Sequence, residues 1–337
     1  MSKAAKPKPK AGNKNKGGAP LEQEDPVKDL KRFVDTYTKL CDKMGLQPCQ
    51  SVIRKFKGEI QASLDGERPE LPNFPIIVPE PLDYPSVRAL MESLHEYKYL
   101  HQLSFWKAKV GDDGLMVIAE FLATDTRLKT LELLNNSIGV RGCTHLGKVL
   151  TQNDTLVNLI LDHNDIGDEG VAVLGDGLKW NSTVSYLSLQ YCNIGAPGGE
   201  AIAKYIIRSS SVKELYLKGN CIGPQGVIAI AQSIAKNMVL TKLDLSDNTF
   251  GIDIEALETL RDGIESNESL TWIDLHLNSM VPAGATMLLE VLKTKPNILE
   301  FRIYERSSEQ LFKEVIDTLN LNVKAAKKKG GKKGKKK

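Results

Sequence analysis

The chain has 337 residues, of which 41% are hydrophobic and 26% are charged, and its formal net charge is +3 at pH 7. The sequence has no apolar run of the roughly 18 residues that a membrane-spanning helix requires, and the lysine-rich N-terminus lacks the apolar segment of a secretory signal. Five cysteines without the spacing of a zinc site or a disulfide framework favour reduced thiols in the cytoplasm.

The positive charge is concentrated at the two ends of the chain. Residues 1–20 carry six lysines and no acid, and residues 324–337 carry nine lysines and no acid. Removing these 15 charges from the net +3 leaves about −12 on residues 21–323. Because neither end has much apolar surface to bury, we expect both to be disordered basic tails on an acidic body.

Residues 21–85 are predicted to form a helical preface followed by a proline-rich strap. Pro26 is suited to the first turn of one helix, Gly45 ends that helix, and a second helix is expected over Ser51–Leu64. Six prolines then fall within 17 residues, which excludes a regular element and favours extended chain. The segment 74–78 is too apolar for a free linker, so we expect the strap to lie against the part of the chain that follows.

A single sequence pattern recurs between Leu100 and Ile303. In the copy that begins at Leu128, apolar residues at steps of three and two lead to Asn136, and the motif continues as Ser-Ile-Gly. Eight copies begin at positions 100, 128, 156, 184, 212, 240, 270 and 298. A fixed period of this length with the pattern L-x-x-L-x-L-x-x-N/C-x-L is the signature of a leucine-rich repeat.

Each copy has a second half of helical character. Apolar pairs four residues apart, such as Leu146 and Leu150, fall on one face of a helix, so the unit is strand, turn and helix. We therefore predict an α/β fold, a leucine-rich repeat solenoid (horseshoe) over residues 86–323, with parallel strands on the concave face and helices on the convex face. A partial unit at Ser86–Tyr97 caps one end, and the capping box Ser307-x-x-Gln310 opens the helix that caps the other.

One polar column runs through the repeats and is predicted to be structural. The turn after each strand leaves backbone groups without partners in the sheet, and buried groups of that kind must be paired. A short amide side chain can bond to the turns on either side. The predicted ladder consists of Asn136, Asn164, Cys192, Asn220, Asn248 and Asn278.

The strand positions between the inward leucines are predicted to line the concave surface. Several of them are large apolar side chains surrounded by charge, which is typical of protein interfaces. The predicted protein-binding residues are Trp106, Leu134, Ile160, Tyr186, Tyr216, Lys218, Asp244, Trp272, Asp274 and Tyr304. The face is mildly acidic, so our hypothesis is that it holds a protein or peptide segment of basic character. The alternative is that the strap or the tails cover the two tryptophans.

The sequence lacks the motifs of the common catalytic sites. No phosphate-binding G-x-x-x-x-G-K-S/T loop, no G-x-S-x-G elbow and no His/Cys cluster at zinc spacing is present. His163 and His276 each follow a repeat strand, but the repeat pattern places no plausible nucleophile beside either of them. We expect a protein that is not an enzyme, with no catalytic residue, no cofactor and no metal.

The lysine tails allow several interpretations. They can be solubilising ends, or they can attract nucleic acid, anionic lipid or an acidic protein polymer. Nucleic acid is disfavoured because no aromatic side chain or arginine is interleaved to stack on bases. A membrane partner is disfavoured because the tails have no apolar side. An acidic polymer such as a microtubule surface fits lysine-glycine ends best.

The 28-residue unit with its N-x-I-G-x-x-G motif resembles the ribonuclease-inhibitor-like class of leucine-rich repeats over about residues 86–320. This class includes ribonuclease inhibitor, the Ran GTPase-activating protein, tropomodulin, innate immune sensors and axonemal proteins. Because fold alone does not choose among these functions, the segments outside the repeats must decide. The Ran activator ends in an acidic tail and begins almost directly with repeats, whereas this chain has basic ends and a long preface.

The preface resembles the segment ahead of the repeats in axonemal leucine-rich proteins, through Tyr37, Leu40-Cys41, Gly45-Leu46, Pro48 and Val52-Ile53. The lysine-glycine ends are also similar to those of flagellar proteins. The resemblance implies a cytoplasmic, cytoskeletal scaffold in the axoneme of a cilium or flagellum. The alternatives are a small-GTPase regulator, with Arg141 as the nearest candidate side chain, and an actin-cytoskeleton regulator.

Overall fold

The structure, a computed structural model, describes residues 25–67, 74–303 and 309–333, with side chains as far as residue 328. Nine parallel strands form one sheet in the order of the sequence, and each strand is followed by a helix. Consecutive helices pack against one another on one side of the sheet. The predicted α/β leucine-rich repeat solenoid is confirmed. We call the sheet surface turned away from the helices the concave face.

The strands are β1 Ile76–Val78, β2 Gln102–Trp106, β3 Thr130–Leu134, β4 Asn158–Ile160, β5 Tyr186–Ser188, β6 Glu214–Tyr216, β7 Lys242–Asp244, β8 Trp272–Asp274 and β9 Glu300–Arg302. The helices are α1 Pro26–Met44, α2 Gln50–Leu64, α3 Tyr84–Leu94, α4 Gly111–Leu122, α5 Val140–Leu150, α6 Gly167–Leu178, α7 Ala196–Ile206, α8 Gly223–Ile234, α9 Ile254–Ser266, α10 Pro282–Thr294 and α11 Glu309–Lys333. The sequence period sets the register, because Leu131 lies beside Leu159 and Leu187 beside Leu215. Successive repeats therefore stack their leucines in layers.

The preface closes the N-terminal end of the solenoid. Asp25 caps α1 by accepting from the backbone of Val27 (3.1 Å), and Gly45 ends this helix in the left-handed conformation at φ 67°. Helices α1 and α2 pack on each other, on α3 and on β1. A cluster of aromatic rings, with Phe33 and Phe56 stacked at 4.1 Å between centroids, fills the junction. This packing covers the end of the core that would otherwise be exposed.

The proline-rich strap contains a strand that the sequence analysis did not expect. Residues Ile76–Val78 form β1, the first strand of the sheet, and Ile76 lies beside Leu103. The prolines at positions 75 and 79 flank the strand and do not interrupt it. A proline is compatible with the end of a strand at the edge of a sheet, since only one side must supply partners.

The C-terminal boundary also differs from the prediction. We expected disorder from residue 324, but α11 continues to Lys333. Alanine and lysine both have high helix propensity, so the residues of 324–329 favour the extension of the capping helix. Val315 on its inner side is buried, as predicted. The predicted capping box at 307–310 begins outside the described residues. Residues 334–337 of the predicted tail also lie outside them.

The asparagine column forms a ladder along the edge where the strands end. The side chain of Asn136 accepts from the backbone of Ala108 (3.0 Å) and donates to the carbonyl of Phe105 (2.8 Å) in the preceding repeat. Asn164 and its successors make the same kind of bridge, and Cys192 replaces the amide in one copy. These bonds pair the turn backbone that the sheet leaves without partners.

A second ladder, which the sequence analysis missed, holds the opposite edge. The Nδ2 of Asn181 donates to the carbonyl of Leu150 (2.9 Å), and its Oδ1 accepts from the backbone of Val184 (2.8 Å). The same geometry recurs at Asn153, Asn237 and Asn267. The 28-residue spacing of Asn153 and Asn181 was the available signal. With both edges bonded from repeat to repeat, the concave face is held rigidly.

Candidate functional site on the concave face

Strand alternation brings the predicted binding residues onto one surface. In β3, Leu131 and Leu133 are fully buried, whereas Thr130, Glu132 and Leu134 between them are partly exposed. Leu134 lies beside Trp106 of β2, which is 40% exposed. Most of the predicted concave residues that the structure describes therefore face away from the helices. Tyr304 lies outside the described residues.

Three predicted aromatic residues form a row across β5 to β8. The rings of Tyr186 and Tyr216 lie 5.0 Å apart between centroids, and Tyr216 lies 5.9 Å from Trp272. The guanidinium of Arg302 stacks over Trp272 at 5.5 Å. All three rings are half-buried, so each keeps surface for a further contact. Aromatic side chains in such positions are common anchors of protein interfaces.

The concave carboxylates are more buried than we expected. Asp244 and Asp274 are only 6% and 2% exposed, although we predicted both as contact residues. Neighbouring strands lie about 4.8 Å apart, so flanking side chains cover a short aspartate. The Oδ1 of Asp244 accepts from the backbone (2.9 Å) and hydroxyl (2.7 Å) of Ser246. Burial raises the pKa of Asp244 above its usual value, and these hydrogen bonds oppose the rise.

Asp162 is a third buried carboxylate, and the sequence analysis left it out of the predicted site. It accepts hydrogen bonds from the hydroxyl of Ser188 (2.6 Å) and the backbone of Gln190 (2.9 Å). Burial raises its pKa despite these bonds. Asp162 follows β4 at the position that Ser246 holds after β7. Strand alternation places Asp162 on the concave face, although it was not among the residues chosen as binding residues.

Negative charge exceeds positive charge on this face. Two cations are paired within the surface, because Lys242 meets Glu214 at 3.1 Å and Arg302 contacts both Glu300 and Asp274. Glu132 has no hydrogen-bond or ion-pair partner among the described residues. The carboxylates are Glu132, Asp162, Glu214, Asp244, Asp274 and Glu300, against Lys218, Lys242 and Arg302. A partner that brings positive charge would complete this surface.

The preface, as far as the structure describes it, does not cover the concave face. Within residues 25–67, α1 and α2 contact α3 and β1, and they reach no later strand. Trp106 on β2 remains exposed. Trp272 is partly covered by its own neighbours Tyr216 and Arg302. The described part of the chain thus leaves the face accessible.

A sequence model of the family described as Leucine Rich repeat matches residues 152–175, 181–203, 208–231 and 236–251. These matches fall on four consecutive units of the solenoid just described. The other units repeat the same strand and helix, and those of β3 and β8 also have the ladder asparagine. The chain is a leucine-rich repeat protein. No curated protein sequence matches it significantly.

Several solved structures are similar to this leucine-rich repeat protein. Actin-binding site 2 of leiomodin-1 is 16% identical, with a TM-score of 0.39, and the match covers 58% of this chain and 95% of that one. The C-terminal domain of Caenorhabditis elegans tropomodulin is 11% identical, with a TM-score of 0.36 and coverages of 56% and 96%. The yeast Rad7 and Elc1 complex is 14% identical, with a TM-score of 0.31, and the match covers 83% of this chain and 91% of that one.

The turns after the strands form a second exposed surface of the repeat protein. His163 and Tyr191 occupy equivalent turns, and their rings stack at 4.6 Å with an interplanar angle of 12°. Both have positive φ, 58° and 52°. The ring of Tyr191 lies directly on Gly219, where a Cβ would come within 2.1 Å of it. A side chain at position 219 would therefore displace this stack.

Arg141, the candidate for GTPase regulation, lies at the start of α5. Its guanidinium donates to Asp113 (2.9 Å) and approaches Asp112 at 3.9 Å. The side chain is thus bound to the neighbouring repeat at the edge where the helices begin. No group of three or more His, Cys, Asp or Glu side chains in the described residues is arranged to hold a metal. None of the described helices combines the length and apolar character of a membrane crossing.

Proposed function

We propose that this leucine-rich repeat protein is a non-enzymatic scaffold that holds a protein partner on its concave face. The observation that carries the proposal is the row of half-buried rings from Tyr186 to Trp272 in an acidic surface. Rings of this kind supply contact area at low entropic cost, and the surrounding charges select the partner. The surplus of carboxylates favours a partner segment with basic side chains.

The rigidity of the face supports this proposal. Asn136 and Asn181 belong to bonded ladders at opposite edges of the sheet, so the strands cannot shift independently. A preorganised surface loses little conformational entropy when a partner binds. The solenoid also offers several strands in parallel, which suits an extended segment that crosses them.

Capture of partner proteins tests the proposal. We expect the double variant Tyr216→Ala/Trp272→Ala to lose most of the protein that the wild type captures from a cytoplasmic extract. The matched control is Trp180→Ala/Met238→Ala, which removes two exposed side chains at the edge where the helices end. Unchanged recovery with the concave variant, or equal losses from both variants, would refute a concave docking site.

We further propose that the scaffold acts in the cytoskeleton, as a component of a ciliary or flagellar axoneme. The support is the resemblance of the preface and of the lysine-glycine ends to axonemal proteins. Comparing partners captured from ciliated and non-ciliated cells tests this assignment. Axonemal proteins enriched only from ciliated cells are the expected result, and identical partners from both cells would contradict it.

The C-terminal lysines give this cytoskeletal proposal a second support. Asn322 of α11 bonds to the carbonyls of Lys295 (3.2 Å) and Ile298 (3.0 Å), where the preceding helix ends, and α11 then continues to Lys333. Its exposed Lys324, Lys327 and Lys328 are suited to an acidic polymer such as a microtubule. Co-sedimentation with microtubules should fall when residues 324–337 are deleted and when salt is raised. Binding that is insensitive to salt would refute the electrostatic account.

A further inference from the structure

Ile160 lies near the middle of the concave face and has two acidic neighbours. In the sheet register it lies between Glu132 of β3, which is the first of these, and Ser188 of β5. Asp162, two residues later in the chain, points to the same face by strand alternation. Ile160 and Leu134 are both half-buried, so together they give an aliphatic floor with carboxylates at its margin.

Tyr186 closes this patch on one side. It lies on β5, diagonally across from Ile160, within the reach of an aromatic side chain. Burial raises the pKa of Tyr186 to about 12, and the negative charges nearby contribute to the rise. In order of influence, those charges belong to Asp162, Glu214, Glu132 and Asp244. The ring is therefore surrounded by carboxylates on both sides.

Among the described residues, lysines neutralise only one half of this ring of charge. Lys242 pairs with Glu214. Lys218 lies near enough to Asp244 to oppose the rise that burial causes in the pKa of Asp244. On the other half, Asp162 accepts hydrogen bonds from a hydroxyl and from the backbone and amide of Gln190, which are neutral donors. Its neighbour His163 also opposes the rise of its pKa, but burial still raises that pKa. Glu132 has no partner among the described residues. The unpaired carboxylate on this half is therefore Glu132, which lies beside the aliphatic floor with the buried Asp162 next to it.

We propose that the patch formed by Glu132, Ile160, Asp162 and Tyr186 receives an arginine side chain of the partner's basic segment. This inference rests on the proposed concave docking function and names the group that it recognises. The aliphatic stem of the arginine covers Ile160 and Leu134, and the guanidinium lies against Tyr186 and meets the partly exposed Glu132. The buried Asp162 contributes its charge and not a direct contact. A long side chain with an apolar stem and a charged end fits such a surface.

The chain already holds one guanidinium in this way, three strands further along the same face. Arg302 stacks over Trp272 at 5.5 Å, lies 3.5 Å from Asp274 and contacts Glu300. Tyr186, Glu132 and Asp162 present a similar set of groups, an aromatic ring with two carboxylates, and no described lysine or arginine pairs with them. A planar, weakly hydrated guanidinium can stack on a ring and donate to two acceptors at the same time. The compact ammonium of lysine does not have this geometry.

Labelled peptides with neutral glycine-serine spacers and three equally spaced arginines provide the probe. Lysine and citrulline peptides of the same design separate guanidinium recognition from charge and from shape. Fluorescence anisotropy with the full chain should give the tightest binding for arginine, weaker binding for lysine and the weakest for citrulline. Glu132→Gln should weaken the arginine peptide about tenfold, since a hydrogen bond to a charged group contributes about 1.5 kcal/mol or more. Tyr186→Ala should reduce the preference for arginine over lysine.

Glu200→Gln is the matched control, because Glu200 is an exposed glutamate on α7, away from the concave face. Equal affinity for arginine and lysine peptides would overturn the proposal, since the patch would then recognise positive charge alone. The lysine tails of the chain itself could then bind there equally well. Equal effects of Glu132→Gln and Glu200→Gln would overturn it as well. If Tyr216→Ala/Trp272→Ala still abolished partner capture in that case, the docking function would stand and only the arginine site would fail.

Discussion

The side-chain oxygen of Asn164 accepts a hydrogen bond from the backbone amide of Asn136 at 2.8 Å, across one complete repeat. The same oxygen accepts from Ile138 (3.1 Å), and Nδ2 donates to the carbonyls of Leu133 and Leu161, both at 2.7 Å. With a longer contact to the carbonyl of Asp162 (3.3 Å), one buried amide thus bonds to five backbone groups of two neighbouring repeats. The stacking of repeats therefore depends on polar bonds of this kind as well as on leucine packing.

Asn164→Ala should therefore lower the free energy of unfolding by about 3 kcal/mol, because several buried backbone groups lose their partners at once. Urea denaturation followed by circular dichroism measures the change. Asn320→Ala, at an exposed position of α11, is the control and should change stability by less than about 0.5 kcal/mol. Similar values for the two variants would show that the ladder contributes little.

Cys192→Asn should stabilise the protein. Cys192 occupies the ladder, where its Sγ lies 3.3 Å from the carbonyls of Leu161 and Gln190 and makes only weak bonds. An amide at this position would donate to the same carbonyls and also accept from the turn of the preceding repeat. We expect a gain of about 1 kcal/mol, seen as a higher unfolding temperature. A lower unfolding temperature would mean that the local packing around the thiol outweighs the missing bonds.

Two glycines of α6 should respond in opposite ways to the same change. A Cβ at Gly177 would come within 2.0 Å of the carbonyl oxygen of Gly147 on α5, whereas a Cβ at Gly175 would meet only Tyr205 at 3.5 Å. Gly177→Ala should cost about 2 kcal/mol or more, since it forces two helices apart. Gly175→Ala should gain up to about 1 kcal/mol through helix propensity. Equal unfolding midpoints in urea would contradict the close packing of α5 on α6.

Asp244 and Asp162 should make the fold less stable as pH rises. Burial raises the pKa of Asp244 above the usual 3.8, so the folded state keeps this proton over a pH range in which the unfolded chain loses it. Stability linked to Asp244 is therefore complete below about pH 4 and is lost as pH rises through the folded pKa. Asp244→Asn removes this loss, so its stability relative to wild type should increase between pH 4 and pH 7.

Urea denaturation of the two proteins at both pH values measures this difference. Asp154→Asn controls for removing one carboxylate from an exposed site. A difference between Asp244→Asn and wild type that stays constant with pH, or that shrinks as pH rises, would show that the burial of Asp244 does not destabilise its charged form. Asp162, whose pKa burial also raises, should behave in the same way.

The repeat period allowed most of the fold to be predicted. Leucines at a fixed spacing, such as Leu131 and Leu159, can be buried only by stacking, and parallel strands with outer helices follow from that geometry. Strand β1 was not predicted, because prolines at positions 75 and 79 exclude a long strand but permit a strand of three residues at an edge. The helical extension of α11 was missed for a different reason: a lysine-rich composition argues against a packed core, yet it is compatible with a helix that continues from a packed one.

The candidate site was predicted less completely. Alternation along the strands identified Tyr186, Tyr216 and Trp272, which the fold does bring together. It could not show that Asp244 and Asp274 are covered by their neighbours, since burial depends on the spacing of adjacent strands and on the size of the flanking side chains. The unmatched charge at Glu132 likewise required the positions of Lys218 and Lys242. Which charged side chains of neighbouring strands pair with each other depends on their positions in the folded structure.

Site-specific photo-crosslinking tests the docking surface most directly. Tyr186→p-benzoylphenylalanine places a photoreactive ring on the concave face, and Trp180→p-benzoylphenylalanine places it on the edge where the helices end. Irradiation in cells should give adducts with a separate protein from position 186 and few or none from position 180. Adducts from position 186 that join only to the chain's own residues 1–67, or equal yields from both positions, would contradict the claim that the concave face receives a partner.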